Sequence, residues 1–306
     1  MKKKIFITGG SGFLGSHLFN KLKNDESFIS IPTSKELNLL SYKDLENLNI
    51  EFDEIYHLAA WTQAGDFCLK NPGLQWIVNQ QINTNIIKWW HEKQKKSKLI
   101  FIGTSCCYAE LGDHSEINYL TDEPHESLYT YASTKKMLLI GAKSCQKQFG
   151  MNWFSPIPST LYGKNYHTDN RQQHFIFDLI KKILSAKQKN SKVELWGDGN
   201  QRREIIHVED FVKYMLKLNK LVKNDIVNIG ASSDLSIREF AQIICEIVDF
   251  DEKKIIYDIT KYTGAKKKKL NTKKIEKFFP NYKKDLMNIN EGLKETIEWY
   301  KDNLKF

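Results

Sequence analysis

The sequence has few cysteines and no long apolar run, and both absences limit what the protein can be. It contains five cysteines, an odd number, and no Cys-x-x-Cys pair. This argues against a disulfide framework and a structural zinc site, and it favours a reducing compartment. No apolar stretch approaches the roughly 20 residues that span a bilayer. The apolar run behind the N-terminal lysines, Ile5–Ile7, is too short for a signal peptide. We therefore expect a soluble, cytoplasmic protein.

Internal repeats and linkers rich in proline or serine are also absent, so we expect one large domain or two packed ones. The 306 residues are 41% hydrophobic, which is enough for a sizeable core. The net charge of +9 has two interpretations: a diffuse field that favours an acidic small substrate, or a nucleic-acid surface. Because much of the excess is lysine scattered over helix surfaces, we expect no nucleic-acid partner.

Short β-rich segments alternate with helical segments in the first half of the chain. Strands are expected at Lys3–Thr8, Phe28–Pro32, Glu54–Leu58, Lys98–Gly103 and Trp153–Pro156. Helices are expected at Gly12–Lys23, Leu74–Glu92 and Tyr131–Phe149. This alternation predicts an α/β fold of the Rossmann type, a doubly wound parallel sheet with helices on both faces.

A glycine-rich turn follows the first strand and leads into the first helix. Its glycines permit a tight turn, a close backbone approach to a pyrophosphate and close packing of the helix on the strand. The helix N-terminus then attracts the phosphates. We predict that this turn binds a nicotinamide dinucleotide through Gly9, Ser11, Gly12, Phe13, Leu14 and Gly15.

The end of the second strand bears on the choice of cofactor. NAD sites commonly place Asp or Glu there to hold the ribose 2′-hydroxyl. Here the first carboxylate is Glu36, whereas Ser34 and Lys35 are suited to a 2′-phosphate unless they are simple loop residues. The sequence therefore favours NADP(H), with NAD(H) as the alternative.

Tyr131 and Lys135 lie four residues apart, on one face of the predicted helix. A tyrosine with a pKa near 10 is a poor base, but a neighbouring ammonium and an oxidised nicotinamide lower that pKa. Ser105, at the end of the fourth strand, is placed to hydrogen-bond the reacting oxygen. We predict hydride chemistry that uses Ser105, Tyr131 and Lys135; the alternative is a surface tyrosine beside a solvated lysine.

From about residue 158 the pattern loosens, with helices expected near Gln173–Ala186, Val208–Leu221 and Ser236–Val248 and a strand at Lys254–Tyr257. We expect a smaller α/β substrate-binding lobe against the carboxyl edge of the sheet. Residues 1–157 would form the dinucleotide-binding domain and residues 158–306 mainly the substrate lobe, with the chain able to cross back between them.

Further motifs occur in order along nearly the whole chain: Glu36–Leu40, His57–Ala60, Thr104–Tyr108, Pro158–Gly163, Trp196–Gly199, Arg203–Val208 and Gly292–Tyr300. Together with the glycine turn and the Tyr–Lys pair, they resemble the extended short-chain dehydrogenase/reductase family (NAD-dependent epimerase/dehydratases), and among them the GDP-L-fucose synthases. The resemblance implies an oxidoreductase/epimerase that acts at C4, and also at C3 and C5, of a nucleotide-linked sugar, foremost a GDP-sugar. It also implies that Leu58, Ala59 and Ala60 contact the cofactor.

The resemblance assigns Cys106 and His174 to proton transfer at the carbons beside the 4-keto group. Such carbons are acidic enough for a thiolate or an imidazole to deprotonate. The structural alternatives are a small buried Cys106 and a His174 that caps or packs within the helix. The resemblance also implies substrate contacts at Thr160, Lys182, Trp196, Arg203, Asp258 and Lys267. Arg203 suits a bidentate phosphate contact, whereas the run Lys266–Lys269 is either a phosphate contact or a solvated surface.

The chain departs from the synthase pattern at Trp61–Asp66, at Thr160, and at Tyr262 and Thr263. These positions border the implied sugar pocket, so a different sugar is expected, such as a 6-hydroxylated hexose or a heptose. A non-epimerising C4 dehydrogenase or reductase on a GDP-hexose or GDP-heptose is therefore the alternative function. A catalytically silent redox-sensing or RNA-binding relative is the third. The family also suggests a homodimer formed through the helices at Leu74–Glu92 and Tyr131–Phe149.

Overall fold

The computed structural model describes residues 2–23, 27–169, 171–261 and 265–304. Its strands are β1 (Lys4–Thr8), β2 (Phe28–Ser30), β3 (Glu54–His57), β4 (Lys98–Phe101), β5 (Trp153–Pro158), β6 (Thr160–Tyr162), β7 (Val193–Trp196), β8 (Arg202–Arg203), β9 (Ile205–His207), β10 (Asp225–Ile229), β11 (Leu235–Ser236), β12 (Ile255–Asp258) and β13 (Lys267–Lys268). Its α-helices are α1 (Phe13–Leu22), α2 (Tyr42–Glu46), α3 (Phe67–Lys70), α4 (Pro72–Lys93), α5 (Tyr129–Phe149), α6 (Phe175–Lys189), α7 (Val208–Leu221), α8 (Ile237–Val248), α9 (Lys273–Phe278) and α10 (Ile289–Asn303).

Within these ranges, six parallel strands form the main sheet in the order β10-β5-β4-β3-β1-β2. Apolar residues on both sides of these strands explain why both faces of the sheet are covered by helices. The predicted Rossmann-type α/β fold is confirmed. The strand order turns back at β1, between β3 and β2, and ligands of such sheets bind beyond the carboxyl ends of the strands.

Two clusters of buried side chains cover the two faces of the main sheet. One packs α4 and α5 against it and includes Trp89, Trp90 and Trp153. The other packs α1 and α7 against the opposite face and includes Leu18, Phe211 and Met215. The catalytic candidates on α5 therefore rest on a well-packed layer that fixes their backbone.

The second half of the chain adds a third cluster, built mainly by α6, α8 and α10. Short sheets join β8 with β11 and β13, β7 with β12, and β6 with β9. Strand β10 was not predicted, and it brings the second half of the chain back into the main sheet. The division at residues 157 and 158 stays a prediction. Among the described helices, none is both long and apolar enough to cross a membrane.

Candidate active site

The glycine turn lies at the carboxyl end of β1 and begins α1. Gly9 has a φ of +69°, and a Cβ there would lie 2.8 Å from the backbone nitrogen of Ala59. A Cβ on Gly15 would lie 2.2 Å from the carbonyl oxygen of Gly9. Gly12 is extended and precedes the helix, and no side chain caps the helix N-terminus. The turn therefore leaves backbone N–H groups of the first helical turn available to phosphate oxygens, which fits a dinucleotide.

The first carboxylate after β2 is held by hydrogen bonds within its own turn. Glu36 accepts hydrogen bonds from the backbone N–H (2.8 Å) and the hydroxyl (2.9 Å) of Thr33. These bonds lower the pKa of Glu36. Ser34 and Lys35 are exposed in the same turn. This arrangement suits a 2′-phosphate better than a free 2′-hydroxyl.

Ser105, Tyr131 and Lys135 are held by two adjoining elements. Ser105 begins a short 3-10 helix (Ser105–Cys107), and the sulfur of Cys107 lies 3.4 Å from the carbonyl oxygen of Ala132 in α5. This contact fixes the 3-10 helix against the turn of α5 that carries Tyr131. Lys135 is almost fully buried, and its ammonium lies 5.9 Å from the centre of the Tyr131 ring.

Burial dominates the protonation of this pair. The pKa of Lys135 falls to about 8 because burial disfavours its charge. The pKa of Tyr131 is raised, first by burial and then by the neighbouring sulfurs of Cys106 and Cys107. Burial therefore outweighs the lowering of the Tyr131 pKa that the sequence predicts from Lys135. A neutral phenol at neutral pH is suited to donate a proton.

Cys106 and His174 are both partly accessible to solvent, although Cys106 also packs against the hydrophobic cluster under α4 and α5. Cys106 is half-buried, and the Lys268 ammonium lies 3.7 Å from its sulfur. His174 is the residue before α6, but its side chain makes no capping hydrogen bond. Although solvent reaches its ring, desolvation by the surrounding protein, followed by the Lys268 ammonium, lowers its pKa to about 4. A neutral His174 can accept a proton.

Lys268 was not singled out by the sequence, which predicted Lys267 instead. The structure places the Lys267 ammonium 4.0 Å from Asp234, on the other side of β13 from Cys106. Neighbouring side chains of a strand point in opposite directions, so only one of the two can face the site. The parallel register of β13 with β8 sets Lys268 beside Arg203. The choice of Lys268 over Lys267 could have been predicted only if the run Lys266–Lys269 had been recognised as containing a strand.

Trp196 and Asp258 are brought together, whereas the other implied substrate contacts are spread over several elements. Trp196 pairs with Asp258 across β7 and β12, and the Trp196 side chain is exposed. Thr160 starts β6, half-buried. Lys182 forms an i,i+4 ion pair with Asp178 at 2.9 Å on α6. Tyr262, Thr263 and Gly264, which complete the loop after Asp258, lie outside the described residues.

The segment Trp61–Asp66 is held in place at both ends. Asn79 binds the backbone of Trp61 twice, accepting from its N–H (2.8 Å) and donating to its carbonyl (3.0 Å). Asp66 accepts a 2.6 Å hydrogen bond from the side-chain amide of Gln172, two residues before His174. The segment therefore borders the His174 side of the site.

A parallel sheet with a glycine turn at its switch point, joined to a Ser–Tyr–Lys constellation, defines a class of enzyme. The model of the NAD dependent epimerase/dehydratase family matches residues 5–230, and the chain belongs to this family.

Within the family, the chain is 30% identical to GDP-L-fucose synthase 1 of Arabidopsis thaliana, over 98% of the chain and 94% of the relative. Among solved structures, a GDP-L-fucose synthetase from Naegleria fowleri superposes with a TM-score of 0.87 at 21% identity, covering 98% of this chain and 94% of that one. A GDP-6-OMe-4-keto-L-xylo-heptose reductase from C. jejuni gives a TM-score of 0.85 at 21% identity, with 98% of both chains covered.

Proposed function

We propose that the protein is an NADP(H)-dependent epimerase-reductase that acts on a GDP-linked 4-keto sugar. The observation that carries this proposal is the position of Lys268. Its ammonium lies 3.7 Å from the sulfur of Cys106, the residue after Ser105, and its charge also lowers the pKa of His174. Groups suited to proton transfer at carbon thus lie near a group suited to reduction of a ketone. The full-length similarity to GDP-L-fucose synthases supports the nucleotide and the reaction.

The reduction depends on Tyr131. The glycine turn would hold NADPH, which would supply the hydride for C4. Tyr131, which keeps its proton at neutral pH, donates that proton to the C4 oxygen. Ser105 holds the same oxygen by a hydrogen bond, and the Lys135 ammonium stabilises the phenolate that remains.

The epimerisation depends on Cys106 and His174. One of the two removes a proton from the carbon beside the ketone, and the electron pair of the C–H bond moves onto the carbonyl oxygen. The other returns a proton to that carbon from the opposite face. The Lys268 ammonium stabilises the negative charge that this transfer places on the oxygen.

Turnover of GDP-4-keto-6-deoxymannose with NADPH tests the proposal, followed at the nicotinamide absorbance and by NMR of the product in D₂O. Tyr131→Phe should lose hydride transfer by at least about 10³-fold, as expected when both the proton donor and its coupling to the lysine are lost. Tyr129→Phe is the matched control, because Tyr129 is exposed on the first turn of the same helix. Oxidation of NADPH by Tyr131→Phe at the wild-type rate would contradict the proposal.

A non-epimerising C4 reductase acting on a GDP-hexose or GDP-heptose is the second candidate, favoured by the segment Trp61–Asp66. Trp61 packs edge-on against Phe67 with ring centres 4.8 Å apart. This bulky pair at the border of the site is suited to a sugar of different shape. Incorporation of deuterium at the carbons beside C4 separates the candidates, because only the epimerase-reductase exchanges them with solvent.

We also propose a homodimer formed through α4 and α5. In the single chain both helices expose large apolar side chains: Leu74, Trp76 and Ile77 on α4, and Met137 and Ile140 on α5. Exposed apolar groups concentrated on two adjacent helices are typical of an interface.

A further inference from the structure

A buried chain of hydrogen bonds connects the glycine turn to the helix that carries Lys135. His57, at the end of β3, is fully buried, and its Nδ1 lies 2.8 Å from the hydroxyl of Thr8, the residue before the turn. Its Nε2 lies 3.1 Å from the side-chain oxygen of Asn83 on α4. The Asn83 amide donates in turn to the carbonyl oxygen of Thr134, at 3.3 Å. That carbonyl belongs to the peptide bond of Lys135.

The direction of each hydrogen bond follows from its neighbours. Because the Asn83 nitrogen donates to a carbonyl, its oxygen must accept, so Nε2 of His57 carries the proton. Nδ1 then accepts from the Thr8 hydroxyl. The Thr8 oxygen accepts in its turn from the backbone N–H of Ala59, at 3.2 Å. Every polar group named here has a partner, and only one arrangement of protons satisfies all of them.

The charge state of His57 keeps this arrangement fixed. Burial, followed by the nearby Lys135 ammonium, lowers the pKa of His57 to about 4. His57 is therefore neutral at neutral pH. A cation at this position would no longer accept the proton of the Thr8 hydroxyl and would repel Lys135.

We propose that His57 and Asn83 are positioning residues that couple the dinucleotide cradle to Lys135. A shift of Thr8 or Ala59 when the cofactor binds passes through the imidazole and the Asn83 amide to the peptide bond of Lys135. The inference rests on the proposed function, because it takes the glycine turn as the cofactor site and Lys135 as the catalytic lysine. A fully satisfied polar network inside a core is rigid and specifies one geometry.

Asn83→Leu tests the coupling, and Asn85→Leu, two residues further along α4, is the matched control. Asn85 is equally buried and donates to a backbone carbonyl, that of Leu39, at 2.8 Å. Because Asn83 and its described partners His57 and Thr134 lie outside the glycine turn, an effect of Asn83→Leu on cofactor binding would report the coupling. We expect this variant to weaken NADPH binding, measured by calorimetry, by at least about threefold and to lower kcat. Asn85→Leu should change only the melting temperature.

Two further measurements keep the inference testable where Asn83→Leu does not fold. Thr8→Val removes the hydroxyl while keeping the shape, and Thr8→Ser restores the hydroxyl; we expect the first to lower kcat and the second to recover it. Nitrogen NMR of the labelled wild type should show His57 protonated only at Nε2, with its signals moving when NADPH is added.

Equal NADPH binding and kcat in Asn83→Leu and Asn85→Leu would overturn the coupling alone, as would a proton on Nδ1 of His57. A wild-type protein that binds no dinucleotide would overturn both the coupling and the proposed function.

Discussion

Replacement of Gly15 by alanine should separate cofactor binding from folding. The new Cβ would lie 2.2 Å from the Gly9 carbonyl oxygen and 2.6 Å from Cα of Gly10, about 1 Å inside ordinary contact distance. Both atoms belong to the backbone, so no side-chain rotation relieves the overlap and the turn must move away from the helix. Overpacking of this kind costs about 1–3 kcal/mol. The displaced turn also no longer presents its N–H groups to the pyrophosphate.

Thermal unfolding with and without NADPH measures both effects. At a concentration of about 100 times Kd, NADPH should stabilise the wild type by about 2.7 kcal/mol, equivalent to about 4 °C for a chain of this size. Gly15→Ala should lose most of this shift. Gly73→Ala is the control, because a Cβ there meets no atom within 4 Å and Gly73 lies in the first turn of α4. Gly15→Ala with an undiminished shift would refute the reasoning.

Three further predictions concern the site and its surroundings. Lys268→Met should slow solvent exchange at the sugar carbons in deuterium NMR, whereas Lys267→Met should not; equal rates would remove Lys268 from the mechanism. Burial raises the pKa of Glu204 to about 7, so its contribution to the free energy of unfolding is full below pH 4.5 and falls as the pH rises to about 7. In urea unfolding, the free energy of unfolding of Glu204→Gln should fall less steeply with pH than that of the wild type, by up to about 1.4 kcal/mol per pH unit. An unchanged slope would contradict this. Ile77→Glu should halve the mass measured by light scattering, whereas Ile117→Glu, at a site away from α4 and α5, should leave a dimer; a monomeric wild type would contradict the proposed interface.

The first half of the fold was predictable because its signals are local. Each strand of the sheet up to β5 is a short apolar run bounded by turn residues, and α4 and α5 were predicted to within two residues at each end. Strand β10 was missed because Asp225–Ile229 is a brief run whose role depends on pairing with β5, about 70 residues earlier. Pairing of that kind is tertiary and leaves no local pattern.

The site likewise has features that follow from local sequence and features that depend on tertiary structure. Ser105, Tyr131 and Lys135 follow from spacing, which the sequence contains. The raised pKa of Tyr131 does not, because it depends on how completely other elements enclose the phenol. The choice between Lys267 and Lys268 depends in turn on the register of β13 against β8. His57 was noted only as part of a motif, since its partners Thr8 and Asn83 come from separate elements.

The position of β10 has a consequence for the order in which the protein matures during synthesis. The sheet lacks an edge strand until Ile229 has been made, and α1 has no cover until α7 arrives to pack on it. A nascent chain that ends near residue 157 therefore exposes the unpaired edge of β5 and an apolar sheet face, both of which favour aggregation. The cofactor-binding half matures only together with the half that follows it, so truncated products should be recovered from inclusion bodies rather than as a folded fragment.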